Sequence, residues 1–513
     1  MALKGTTRIE LTNVKTGEVE VIEKENLVTN AVALALENPF AIQLKSYYSS
    51  AYWAGNILPL CPNLFGGILL YEKSIPESVD QLYAQPGNPL IGYSSNNVNN
   101  KTDVMRGSMN LNESGYLDTN DGYRFVFDFT TAQANGTIGA VGLTSKWGGI
   151  AGYGSMEFKN TQSPVVYCSK ISSDDLVLVY TYASMIHYDQ DTGIATAIYV
   201  ASQNFITVTR IRLHTKHWKL ASSLGMMPSA QVIDTQSIAT DVFAGTTVTG
   251  NYLYYNFCDS GDGYVWGFEH AGNKAGNSEG NASINWIKIK LEDLSFQEGT
   301  WDIGAQLYSM GRHVNNPGTA VAYRYNDQSN CVILDGYLYC FDYALTGVYK
   351  IKMSNITDMK FIEHPDKTIK IYSTSSSSSY YYYYYFTGNM MVMGNRVCMM
   401  NGWLNDDTIV ANLYSMGYGK EDSDLQDGWL DTDSIYNYPR CMCAGMYGVK
   451  LGVFSLHYQA SHCNSTAFDA TVWASLTLDA PYLATINNLA SPVEKTADKT
   501  MKITYILREE NIE

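Results

Sequence analysis

Basic clusters are missing from this 513-residue chain. It contains 34 Lys and Arg residues and 50 Asp and Glu residues, which gives a formal charge of −16. A protein that binds nucleic acid displaces counterions from phosphates with a basic surface. No apolar run approaches the roughly 20 residues of a membrane-spanning helix, and the first residues lack the apolar core of a signal peptide. The sequence therefore predicts no nucleic-acid partner, no membrane insertion, and synthesis in a cytoplasm.

Catalytic and metal-binding motifs are also missing. The chain contains no GxSxG, no HExxH and no glycine loop for phosphate. Its nine cysteines include no CxxC pair, so buried free thiols are favoured over zinc ligands or a disulfide framework. His214 and His217 would point to opposite faces of a strand, which makes a poor metal site. We predict no catalytic residue, no metal and no cofactor.

Three acidic loops resemble fragments of calcium-binding loops. They are "DTNDG", "DQDTG" and "DSGDG", which begin at Asp118, Asp189 and Asp259. None of them completes the calcium-loop pattern with its terminal Glu. Because Asp and Asn before Gly are typical of tight turns, turns are favoured over calcium sites here.

Tyrosine is what the chain has in excess, with 40 residues in a sequence that is 45% hydrophobic and only 16% charged. This composition favours strands and contact surfaces, since a tyrosine ring buries area while its hydroxyl stays solvated. The segment "RIELTNVKTGEVEVIEKEN" alternates apolar and charged residues around a "KTGE" turn, which predicts a hairpin. Thr29 is then a typical N-cap for one short helix over "NAVALALEN".

Two further stretches near the chain ends show strand periodicity. "YRFVFDFTT" alternates aromatic and polar residues, and the Asn135-Gly136 turn leads into "TIGAVGLTS", which predicts a second hairpin. Near the C-terminus, Met501, Ile503, Tyr505 and Leu507 would share one face of a strand.

The middle of the chain repeats one pattern. Three quartets share the order basic–Ile–basic–Leu or Met, and they are Arg210–Leu213, Lys288–Leu291 and Lys350–Met353. An aromatic strand precedes each quartet, and "NMMVMGNRVCMM" and "YGVKLGVFSLHY" resemble diverged copies. One sheet per repeat is typical of a β-propeller, here with about five to seven blades. A large sandwich of ordinary hairpins is the alternative.

The expected fold is therefore all-β, with a propeller-like repeat domain inserted in or following a β-sandwich-like flank. We predict an N-terminal hairpin and helix over residues 1–48, a sandwich-like domain over 49–159 and the repeat domain over 160–480. Residues 481–513 would return a strand to the sandwich. Chain ends that lie close together make such an insertion easy to accommodate.

Three segments at the ends resemble recurring parts of bacteriophage tail and appendage structural proteins, notably from phages of gut Firmicutes. They are "KGTTRIELTNVKTGEVEVIEKENLVTNAV", "FDFTTAQANGTIGAVGLTS" and "YLATINNLASPVEKTADKTMKITYILRE". The resemblance implies a virion protein whose N-terminal part docks on other virion proteins while its distal domain faces the host. A homo-trimer is expected by analogy alone.

The function expected from these features is non-enzymatic binding of a host-surface glycan or protein through loops of the repeat domain. A glycan depolymerase that uses two loop carboxylates and a purely architectural decoration are the alternatives. Aromatic residues are the candidate contacts, because they stack on sugars and anchor interfaces. They are Tyr380, Tyr382 and Tyr384, from a six-tyrosine run that we predict to be a strand, together with Trp403 and Trp429.

Overall fold

The chain folds as an all-β protein of two compact units. The computed structural model describes residues 2–37, 60–95, 104–151, 165–171, 185–189, 192–202, 204–213, 230–244, 256–270, 283–308, 331–369, 390–399, 402–411, 447–461, 471–478 and 481–510. The first unit combines the described residues up to 151 with 481–510, and the second unit comprises those from 165 to 478. The N-terminal and C-terminal segments thus belong to the same unit.

The first unit is one ten-stranded sheet with three short helices. Its helices are α1 (Asn30–Glu37), α2 (Leu60–Leu64) and α3 (Lys146–Ala151). Its N-terminal strands are β1 (Ala2–Asn13), β2 (Val19–Val28), β3 (Gly67–Tyr71), β4 (Leu90–Ser95), β5 (Ser108–Met109), β6 (Gly115–Tyr116), β7 (Gly122–Phe129) and β8 (Gly136–Thr144). The C-terminal segment adds β29 (Thr485–Lys495) and β30 (Lys499–Glu510), and the order is β4-β3-β8-β29-β2-β1-β30-β7-β5, with β6 beside β7.

Local patterns at the N-terminus are confirmed. Strands β1 and β2 form the expected hairpin, and Gly17 takes the positive φ of 75° that its turn requires. The Thr29 hydroxyl accepts a hydrogen bond from the backbone N–H of Ala31 at 3.2 Å, so Thr29 caps α1 as predicted. Helices α2 and α3 add to the single helix expected, because a one-turn helix has no periodicity to read.

The second predicted hairpin is wrong. Strand β7 pairs with β30, whereas β8 pairs with β29 and β3, so four strands lie between β7 and β8 in the sheet. The connection between them is held by Lys495, whose ammonium donates to the carbonyl oxygen of Thr130 and the side-chain oxygen of Asn135, both at 2.8 Å. The turn therefore leads the chain across the sheet and does not reverse it onto β7.

The sheet of the first unit nearly closes on itself as a barrel-like sheet. The backbone N–H of Tyr93 in β4 donates to the carbonyl oxygen of Met105 at 3.0 Å, and that of Gly107 donates to Tyr93 at 2.8 Å. The segment that contains Met105 and Gly107 leads directly into β5, at the other end of the strand order. The sandwich-like flank thus takes the form of one curled sheet, whose inner face carries buried Phe125 and Tyr505.

The second unit contains five four-stranded sheets among its described residues. The first two are β10 (Met185–Asp189), β11 (Ile194–Ser202), β12 (Phe205–Leu213) and β13 (Ala230–Ala239), then β14 (Asn256–Asp259), β15 (Tyr264–His270), β16 (Ser283–Lys290) and β17 (Phe296–Asp302). The next two are β18 (Cys331–Leu334), β19 (Tyr337–Phe341), β20 (Gly347–Lys352) and β21 (Met359–Glu363), then β22 (Met390–Met393), β23 (Arg396–Met399), β24 (Gly402–Asn405) and β25 (Thr408–Ala411). The fifth joins β26 (Tyr447–Leu451), β27 (Phe454–Ser461) and β28 (Thr471–Leu478) to β9 (Val165–Ile171).

The sheets follow one another in a propeller-like arrangement. Contacts link the first strands of neighbouring sheets, β26 with β10, β10 with β14, β14 with β18 and β18 with β22. Strand β9, the first of this unit in the sequence, completes the sheet formed by the last three strands. The exact number of blades, predicted as about five to seven, stays a prediction.

The repeated quartets occupy equivalent places. Each begins in the third strand of its sheet, β12, β16 or β20, and its isoleucine is fully buried: Ile211, Ile289 and Ile351. The flanking basic residues lie on the other face of the strand, as alternation requires. The recurring pattern in the sequence therefore marks one structural position.

One of these basic residues connects two sheets. Lys350 on β20 donates to Asp407, in the turn between β24 and β25 of the following sheet, at 2.9 Å. Lys360 on β21 donates to the other oxygen of Asp407 at 2.8 Å. Together these hydrogen bonds, with that of Lys360 the stronger, lower the pKa of Asp407 below its ordinary value.

Replacing Lys495 by Met should destabilise the first unit by about 1–3 kcal/mol, because the partly buried carbonyl oxygens of the β7–β8 connection lose a charged donor. Faster amide hydrogen exchange over residues 130–136 and a lower denaturation midpoint would report it. Lys4→Met on β1, where Lys4 forms an exposed ion pair with Glu25, is the control and should cost less than about 0.5 kcal/mol. Equal effects of the two changes would contradict the role of Lys495.

Replacing Asp407 by Asn should lower stability at pH 7 by about 0.5–1 kcal/mol, a value that allows for the partial exposure of the pair. A carboxyl group with a lowered pKa stabilises the fold above its unfolded pKa of about 4 and loses that effect as the pH falls through its folded pKa. The difference between the two proteins in denaturant titrations should therefore vanish in acid.

The neighbouring exposed Asp406 supplies the control for this test. Its backbone has a φ of 54°, which Asn tolerates, and Asp406→Asn should leave the free energy of unfolding within about 0.5 kcal/mol at every pH. A pH-independent effect of Asp407→Asn would exclude the ion pair as its cause.

Candidate binding site

One face of the second sheet of the repeat unit carries a cluster of aromatic side chains. Alternation along β15 directs every second residue to this face, and the register with β16 and β17 brings matching residues beside them. The set consists of Tyr264, Trp266 and Phe268 on β15, Trp286 and Lys288 on β16, and Trp301 on β17. We refer to these six residues as the tryptophan face.

The three tryptophans of this face contact one another. Their ring centroids are separated by 5.2 Å between Trp266 and Trp286, 5.6 Å between Trp266 and Trp301, and 5.4 Å between Trp286 and Trp301. All three pairs are tilted, which is a favourable arrangement of ring quadrupoles. The rings therefore fix one another's orientation.

The inner part of the face belongs to the core, while its margin is open. Phe268 and Ile284 are fully buried against residues of the following sheet such as Leu338. Trp286 and Trp301 are only partly buried at the edge of the same cluster. The face thus combines a rigid buried base with a partly exposed aromatic margin.

Lys288 places a positive charge on this margin. Its ammonium nitrogen lies 3.8 Å from the centroid of the Tyr264 ring and 5.1 Å from that of Trp266, which are cation–π distances. No carboxylate of the described residues pairs with it. Lys290, two residues further on, instead forms an ion pair with Glu292 at 2.6 Å.

A close backbone approach shapes the Trp286 side of the site. Gly299 on β17 lies opposite Trp286, and a Cβ atom at Gly299 would come within 2.9 Å of the indole ring. The indole nitrogen of Trp286 is buried and has no hydrogen-bond partner within the described part of the chain. The site therefore offers a ligand an aromatic surface and one ammonium group.

Of the five residues predicted as ligand contacts, the structure describes only Trp403. Its side chain is 7% exposed, and the guanidinium of Arg396 lies 4.7 Å from its ring. Trp403 is thus largely covered by protein, while its contact with a ligand stays a prediction. Tyr380, Tyr382, Tyr384 and Trp429 lie outside the described residues, as does the predicted tyrosine strand.

The sequence did carry a signal for the tryptophan face that was missed. Three of the nine tryptophans fall within a single repeat, and two of them are two residues away from a basic or aromatic residue of the same face. Only the strand register shows that they meet. The count of aromatic residues alone does not distinguish this face from a buried core.

The polar and cysteine-containing patterns have structural roles where they are described. In "DSGDG" the carboxylate of Asp259 accepts from the backbone N–H of Gly261 at 2.8 Å, and in "DQDTG" Asp189 accepts from the hydroxyl of Thr192 at 2.6 Å. Both loops are hairpin turns with a positive-φ glycine. Four of the described cysteines are buried free thiols, as predicted, and they are Cys258, Cys331, Cys340 and Cys398.

Metal sites and membrane-spanning helices are both absent from the described part of the chain. Among the described residues, no group of three or more His, Cys, Asp or Glu side chains is placed to hold a metal ion. No helix in the same part of the chain is long and apolar enough to span a bilayer.

Comparisons with known proteins add no relative. No protein-family model matches the sequence, and a search of curated proteins finds no match. The function is consequently argued from the residues of the site.

Replacing Gly299 by Ala should displace the Trp286 ring, because the added methyl group would overlap it. Near-ultraviolet circular dichroism of the coupled tryptophans should change in shape, with the fold retained. Gly115→Ala is the matched control, since its added methyl group meets no atom within 4 Å. An unchanged tryptophan spectrum in Gly299→Ala would show that the ring packing is looser than described.

Proposed function

We propose that the protein is a non-enzymatic bacteriophage virion component that binds a glycan on the surface of its host through the repeat unit. The observation that carries this proposal is the partly exposed margin formed by Trp286, Trp301 and Lys288. Aromatic rings held rigidly at a surface contact the apolar face of a sugar at low entropic cost. The phage context rests on the resemblance of the chain ends to tail and appendage proteins.

The first unit supplies the part that would attach to other virion proteins. It contains both the N-terminal and the C-terminal strands, so the chain enters and leaves the repeat unit from this one curled sheet. We infer that docking through the first unit leaves the repeat unit to face the host, and that the assembly is a homo-oligomer, a trimer by analogy.

Cell binding tests the proposal. Labelled full-length protein should bind cells of a susceptible strain within a panel of gut Firmicutes and should compete with phage adsorption. The double variant Trp286→Leu and Trp301→Leu should bind about tenfold more weakly, because two stacking rings are lost. Tyr116→Leu is the control, since this ring is 66% exposed on β6 of the first unit and lies outside the tryptophan face.

Two results would contradict the proposal. Protein that binds no strain and does not compete with the phage would favour an architectural role. Shortening of purified host polysaccharide by the protein would favour a depolymerase. The circular dichroism spectrum of the double variant must match that of the unchanged protein, because a misfolded sheet would also weaken binding.

A further inference from the structure

The first basic residue of each quartet has the same position in its sheet but not the same partners. In the first sheet Arg210 contacts the following sheet, where its guanidinium donates to the carbonyl oxygen of Glu292 at 3.5 Å. In the third sheet Lys350 reaches Asp407 of the following sheet at 2.9 Å. Glu292 and Asp407 both lie in the turn between the third and fourth strands of their sheets. Two of the three repeats thus use this residue to contact the next sheet.

Lys288 departs from this pattern. The corresponding turn of the following sheet lies between Lys352 and Met359, and its one carboxylate, Asp358, is 3.6 Å from the ammonium of Lys352. Ile356 of the same turn packs against the core cluster. No described residue of this turn therefore offers an anion to Lys288, whose contacts are the rings of Tyr264 and Trp266.

A cation at a partly buried position without a counter-ion is costly unless another partner compensates it. The equivalent residues show that the fold can supply a polar partner at this position. Departures from a protein's own local rule concentrate at functional sites. The charge of Lys288, which has no carboxylate partner among the described residues, also lies over the rings of Tyr264 and Trp266 on the tryptophan face.

We propose that the ligand of the tryptophan face is an acidic sugar, a pyranose ring that carries a carboxylate or a phosphate group. The ammonium of Lys288 binds the anionic oxygen atoms as a point charge. Trp286 and Trp301 contact the ring of the sugar. This inference rests on the proposed glycan-binding function and names the chemical class of the glycan.

The net charge of −16 repels anionic ligands at long range, and salt screens this repulsion beyond about 8 Å at physiological ionic strength. The charge of Lys288 acts at contact distance, and a short oligosaccharide tests it with the least long-range repulsion. The suitable probes are therefore trigalacturonic acid for the carboxylate, its methyl ester as the uncharged counterpart, and glucose 6-phosphate against glucose for the phosphate.

Tryptophan fluorescence of the full-length protein, titrated with each probe, tests the inference. At least one acidic probe should change the fluorescence saturably. The affinity for its uncharged counterpart should be lower by at least about tenfold, as expected for loss of a hydrogen bond to a charged group. Lys288→Met should lower the affinity for the acidic probe to the same degree, and Lys288→Arg should keep most of the affinity of the unchanged protein. The preferred probe distinguishes carboxylate from phosphate.

Lys352→Met is the matched control, because Lys352 belongs to the equivalent quartet of the next sheet and has a carboxylate partner. It should leave binding unchanged. Equal binding of the acidic and uncharged probes, or full binding by a Lys288→Met variant with an unchanged circular dichroism spectrum, overturns the inference.

The outcome for the proposed function is read separately, from cell binding. Protein that binds host cells but none of the acidic probes overturns the acidic-sugar assignment and leaves receptor binding intact. Protein that binds neither cells nor probes overturns both.

Discussion

The antiparallel pairing of the first strand with the last is the constraint on which the first unit depends. Strand β1 pairs with β30 along its whole length, from Ala2 opposite Glu510 to Asn13 opposite Lys499. Without β29 and β30, the strands β7 and β8 would each lose one of their neighbours, and the strand order between them would be interrupted. Contacts of such long range are slow to form, and this unit can complete its sheet only after the residues of β30 have been synthesised.

The repeat unit is also closed by pairing between strands that are far apart in the sequence. Strand β9 precedes the other strands of this unit in the sequence but completes the sheet of β26, β27 and β28. The last sheet is thereby held by both ends of the unit. Each unit is closed by a strand from a distant part of the chain, which limits fraying at its ends.

Sequence periodicity was sufficient for individual strands and insufficient for their pairing. Alternation identified β1, β7 and β30, and the recurring quartets identified the third strand of three sheets, because both signals are local. The false β7–β8 hairpin followed from the same local reasoning, since a turn sequence does not show that its flanking strands are partners. The strands that separate β7 from β8 include β29 and β30, far away in the sequence.

The binding face shows the same limit at the level of side chains. Trp403 and Trp286 are indistinguishable as letters in a strand, yet one is largely covered beside Arg396 and the other lies at an open margin. Burial depends on what the neighbouring sheet presents, and that requires the register of two sheets. Repetition supplied the missing comparison, because Arg210 and Lys350 show what the fold provides at the position of Lys288.

The core cluster behind the tryptophan face keeps its side chains in fixed positions. The thiols of Cys258 and Cys331 lie 3.9 Å apart beneath it, on neighbouring sheets, within the same core cluster as Trp266. Contact with Cys258 and burial raise the pKa of Cys331, and burial raises that of Cys340, so these groups stay protonated and pack as small apolar side chains. A binding surface needs support that does not move when the ligand arrives. The core cluster provides it, and the ammonium of Lys288, which pairs with no carboxylate in the described part of the chain, lies at the margin of the face, where a ligand can reach it.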